Sequence, residues 1–100
     1  MPRSPVFRAV VGPLSPSDGQ REVSVVLAGH PLHWCKVTVD EQSTGHRVRY
    51  NDPAGEWYPE TGTKEWEYDR RGEPHDQFDL WKVYVTAGAN ASTFTIVGIP

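Results

Sequence analysis

Cysteine is nearly missing from this chain of 100 residues, and a single Cys35 excludes an internal disulfide framework. Basic charge is also in short supply. Ten Lys and Arg stand against 13 Asp and Glu, a net charge of −3. Phosphate binding wants a clustered positive surface, so a nucleic-acid partner is not expected. No apolar run approaches the roughly 18 residues that cross a bilayer, which argues against a membrane partner. The opening MPRSPVFRAVVGPLSPSDG lacks the apolar h-region of a secretion signal. The expectation is synthesis and retention in the reducing cytoplasm, with later incorporation into a larger particle as an option. Helical spacing is lacking as well: no long stretch repeats apolar residues every three to four positions.

What is present has period 2. VFRAVV (6–11) reads as a first strand, followed by the turn-rich GPLSPSDGQ (12–20). VSVVLA (23–28) is β-branched and uninterrupted, the pattern of a buried strand. In HWCKVTVD (33–40), His33, Cys35, Val37 and Val39 share an inward face. EQSTG (41–45) carries a hairpin signal that would return the chain through HRVRY (46–50), with Val48 and Tyr50 on one face and Arg47 and Arg49 on the other. TKEWEYD (63–69) sets Lys64, Trp66 and Tyr68 against Glu65, Glu67 and Asp69. FDLWKVYVTA (78–87) places Trp81, Val83 and Val85 together, and STFTIVGI (92–99) closes the chain. Seven short strands separated by turn signals predict an all-β, single-domain antiparallel β-sandwich over 1–100, with 1–5 as an N-terminal arm; a small β-barrel is the alternative. A domain of this size buries roughly two-thirds of the surface its unfolded chain exposes.

WKVYVTAGANAS (81–92) resembles the penultimate strand and following turn of fibronectin type III and related immunoglobulin-like domains, where an aromatic precedes alternating valines, an alanine and a small-residue turn. The resemblance covers about a dozen residues. It implies a sandwich of that kind.

HPLHWC (30–35) gathers two histidines and the one cysteine. A zinc site takes four N or S ligands, or three plus water, and His46 and His75 follow no ligand spacing around this stretch. Cys35 lies in a row with Val37 and Val39, so it reads as a small core hydrophobe with His33 at the rim. Neither a metal nor a cofactor is expected. Oxygen-rich NDPAGE (51–56) and EPHDQFD (73–79) lack the spacing of an EF-hand loop. Nothing resembles a nucleophile elbow, a P-loop or a dinucleotide fingerprint, so the expectation is a protein that is not an enzyme.

YNDPAGEWYPETGTKEWEYD (50–69) interleaves aromatics with acids. Trp57 and Tyr58 stand in a Pro/Gly loop beside Glu56 and Glu60, where no strand period turns them inward, and an aromatic pair on such a loop is a contact candidate. Its natural counterpart is a basic group. Residues 1–51 carry six Lys and Arg against four Asp and Glu, while residues 52–100 carry four against nine, so Arg3 and Arg8 of a neighbouring copy are candidate partners for that loop. The expected function is therefore a non-catalytic interaction module acting by surface contact, a structural or assembly subunit such as a virion decoration or complex-building protein. A carbohydrate-binding module or lectin built on Trp57 and Tyr58 is one alternative. A small acidic inhibitor or immunity-type protein is another.

Overall fold

A computed structural model of the chain describes residues 6–40, 45–58, 65–69 and 79–100. The expected arm with Arg3, the stretch 41–44, Glu60 with the rest of 59–64, and 70–78 with His75 lie outside the described residues. Seven strands follow in order: β1 (Phe7–Leu14), β2 (Arg21–Ser24), β3 (Trp34–Val39), β4 (Arg47–Tyr50), β5 (Glu65–Asp69), β6 (Lys82–Thr86) and β7 (Ser92–Ile99). They form two antiparallel sheets, β1-β7-β3-β5 and β2-β6-β4. The molecule is an all-β sandwich, with no α-helix among the described residues.

The core lies between the sheets and is assembled by alternation. On β3, Cys35 and Val37 are fully buried and Val39 nearly so; on β7, Ser92, Phe94, Ile96 and Gly98 turn inward; on β5, Trp66 and Tyr68 do the same. Their neighbours Lys36, Thr38, Glu65 and Glu67 point out of the sheet, as the period-2 geometry of a pleated strand requires. Val48, Val83 and Val85 supply the opposing layer, joined by Leu32 and Leu80 from outside the strands. Removing one such side chain from water contributes about 1.5–3 kcal/mol.

Among the described strands, odd-numbered ones form one sheet and even-numbered ones the other, so each lies in the opposite sheet from the one before it. Tyr58 bridges Val48 antiparallel on the side of β4 away from β6.

Three expectations are corrected. The hairpin joining 33–40 to 46–50 does not form, because β3 pairs with β5 and β7 while β4 pairs with β6 in the other sheet. VSVVLA is not one strand. β2 ends at Ser24, and Leu27 and His30 close a two-residue turn by exchanging both backbone hydrogen bonds, at 2.9 and 3.0 Å. Ala28 and Gly29 both take positive φ, 53° and 82°, as the tight turn between them demands. Finally, Trp81 does not share the inward face of Val83 and Val85. Its backbone N–H donates to Asn51 Oδ1 at 2.8 Å, and the strand begins only at Lys82. The alternation therefore slips by one residue, which buries Leu80 and leaves Trp81 48% exposed.

Candidate functional site

Cys35 projects from β3 into the core, and burial pushes its thiol up from 9.0 to about 12. At neutral pH it is a protonated, enclosed S–H. Reactive and metal-binding cysteines need the opposite, an exposed thiolate. His30 is exposed in the tight turn, and His33 is half-buried just before β3. Among the described residues, no group of three or more His, Cys, Asp or Glu is arranged to hold a metal ion. His46 is buried away from this stretch: its Nδ1 accepts from Gly88 N–H at 2.9 Å, Ser92 Oγ lies 3.3 Å from its Nε2, and its ring meets Phe94 edge-on. The hydrogen bonds satisfy a polar ring within the sandwich.

The loop after β4 is folded down. Asn51 adopts φ 63° and knits the loop to the chain ahead of β6: its Nδ2 donates to Asp79 O at 3.0 Å, and its Oδ1 accepts from Trp81 and Lys82 N–H. Asp52 Oδ1 accepts from Ala54 N–H at 2.9 Å, a side-chain-stabilised turn. Arg49, on the outward face of β4, then fastens the rest. It donates to Gln20 Oε1 through Nε and Nη2, and to Gly55 O through Nη1 at 2.9 Å. Its guanidinium lies 3.7 Å from the centre of the Trp57 ring, with that of Arg47 at 4.8 Å. The basic counterpart expected for Trp57 from a partner is thus met, on a face of its ring, by the chain's own Arg49.

Tyr58 is half-buried and packs on the core. Its N–H donates to Val48 O at 2.8 Å, its carbonyl accepts from Trp66 Nε1 at 3.0 Å, and its ring stacks obliquely on Tyr50, 5.3 Å between centres. The Pro/Gly loop gives no period from which this could be read. Glu56 is exposed beside the pair. Across β6, Tyr84 donates to Glu22 Oε1 at 3.0 Å, while Lys82 Nζ meets Glu22 Oε2 at 3.1 Å. The Lys82 and Tyr84 bonds lower the Glu22 pKa; burial, with Glu22 beside it, raises that of Tyr84.

Arg8 belongs to a different surface, the outward face of the four-stranded sheet. β1 is an edge strand whose outward row holds Arg8 and Val10, continued by Val6 just before the strand. Val6 is 54% and Val10 60% exposed, and Ile99 at the end of the adjacent β7 is 38% exposed. One cross-strand row runs the width of the sheet: Arg8 opposite Val97, Val97 opposite Lys36, Lys36 opposite Glu67. Lys36 Nζ turns diagonally to Glu65, at 3.1 Å, and among the described residues Glu67 accepts only from Trp34 Nε1, at 3.1 Å. Among the described residues, Arg8 and Glu67 therefore form no ion pair, and they close opposite ends of the row.

Of the six residues singled out from the sequence, the structure places Glu56, Trp57 and Tyr58 together over β4 and puts Arg8 on the other sheet. Val6, Val10, Ile99 and Glu67 were not singled out. For the two valines the signal was available in VFRAVV, where Arg8 marks which alternate set faces water. No family model matches the chain, and no match was found among curated proteins or solved structures.

Proposed function

We propose that this chain is a non-catalytic contact module, a structural or assembly subunit whose partners are protein surfaces, copies of itself first among them. The observation that carries the reading is apolar exposure at one sheet edge: Val6 and Val10 flank Arg8 along the β1 edge, and Ile99 is exposed at the end of the adjacent β7. An edge strand offers a row of unpaired backbone N–H and C=O groups to another chain. Natural proteins usually guard such edges with charge; here the flanking row is largely valine. The sandwich does not select the function, since one fold hosts many unrelated functions. Trp57 supports a sugar platform poorly, because Arg49 already covers a face of its ring.

Sedimentation equilibrium from about 10 to 500 µM, a range suited to a weak contact of small area, tests the reading. Wild-type protein is expected to associate with rising concentration. Val10→Glu is expected to abolish the association with an unchanged melting temperature, since a side chain 60% exposed contributes little to the core. A wild-type protein that remains monomeric at the highest concentration contradicts the proposal.

A further inference from the structure

We infer that copies of this chain join head to tail through the two edges of the four-stranded sheet, with β1 of one copy lying antiparallel beside β5 of the next; the inference rests on the contact reading above and names its partner and geometry. Three observations converge. The first is direction. Because the sheet β1-β7-β3-β5 is antiparallel throughout and has an even number of strands, its two edges run in opposite senses. A second copy placed alongside in the same orientation therefore brings β1 against β5 in the antiparallel sense, with outward faces on the same side. Among the described residues each of these strands pairs on one side only.

The second observation is charge. The outward row of β5 is Glu65, Glu67 and Asp69, all acidic, whereas that of β1 is Arg8 with exposed valines. Glu65 is engaged by Lys36, but Glu67 has no cation and Arg8 no anion among the described residues. Opposite charges directly across an antiparallel pair are favourable, and like charges are not.

The third is register. Arg8 and Glu67 occupy the same cross-strand row, through Val97 and Lys36. Continuing that row into the next copy sets Arg8 opposite Glu67 with no slip along the strands. The same register sets Val10 opposite Glu65 and Phe7 opposite Tyr68. A slip of one residue would turn Arg8 to the wrong face. The contact is heterologous, so it builds an open series of oligomers rather than a closed dimer.

The test uses charge exchange read by sedimentation. Arg8→Glu and Glu67→Arg are each expected to weaken association about tenfold at low salt, by placing like charges opposite each other. The double variant carrying both is expected to restore it, and 0.5 M salt is expected to weaken the wild type, since exposed charges are screened. Melting temperatures of the three variants, measured alongside, show whether each remains folded. A discrete dimer that ignores Glu67→Arg identifies β1 pairing with β1 and overturns the head-to-tail arrangement. So does association that Val10→Glu abolishes but neither charge variant alters, which leaves the contact reading standing. A wild-type monomer at every concentration removes both.

Discussion

Cys35 shows how one buried atom couples packing to pH. Its thiol holds a proton in the folded chain up to about pH 12 but loses it near pH 9.0 once exposed. Between those values the folded state binds more protons than the unfolded state, so its stability falls as pH rises through that window and is fully present below it. Tyr84, also pushed up by burial, adds a slope of the same sign. Comparison with Cys35→Ala isolates the cysteine part. The variant is expected to lose about 1 kcal/mol at pH 7, the scale of a small core truncation. It is also expected to show a shallower alkaline decline in denaturant melts from pH 8 upward. A thiol reagent should modify native wild-type protein only as fast as it opens. Equal alkaline slopes in both proteins would place the thiol outside the core.

At the scale of elements, β7 tolerates no side chain at Gly98 without a neighbour shifting. Gly98 faces inward opposite Cys35 and Phe7, and a Cβ there would press on Leu32 Cδ1 and lie 2.8 Å from Trp34 O. Leu32 is fully buried and the carbonyl is backbone, so neither can move aside freely. Gly98→Ala is expected to destabilise by about 3 kcal/mol, the upper range for overpacking, and a denaturant midpoint equal to wild type would show that β7 stands farther from Leu32. Strands β3, β5 and β7 were legible in the sequence because alternation reports which face is buried. Alternation does not report the partner. β3 and β4 each carry the pattern, and the turn signal between them suggested a hairpin, yet the two lie in different sheets. VSVVLA was illegible for a second reason: an unbroken apolar run has no phase, so the turn at Ala28 and Gly29 left no mark. Trp81 was misplaced because a side chain 30 positions earlier, Asn51, takes its N–H and resets the strand. At the candidate site, the aromatic-acidic composition pointed to the loop. The fastening of that loop by Arg49 depends on contacts to Gln20 and Gly55 that no local spacing encodes.

For the molecule as a whole, the charge asymmetry between the two halves was visible in the sequence, and the fold spreads part of it across one sheet. Arg8 lies on the first strand and the acids of β5 at the far edge, so a gradient along the chain becomes a gradient across a face. The same topology joins the first strand to the last. Phe7 pairs with Gly98, and the pairing runs inward from there toward Val11 and Phe94. Tension applied between Val6 and Pro100 therefore loads one rung of that ladder at a time, opening it like a zipper instead of shearing all rungs together. In single-molecule stretching, handles at those two residues are expected to peel β1 away at low force before the rest of the sandwich yields. Handles at Leu14 and Pro100 would instead load the β1–β7 pair lengthwise, so the same bonds should resist a higher force. Equal forces from the two geometries would mean that β1 and β7 are not paired in the antiparallel register described. An assembly joined along this sheet would then be stiff to loads directed along its strands and compliant to loads that lift the edge, giving it a direction of mechanical weakness set by where the chain starts its first strand.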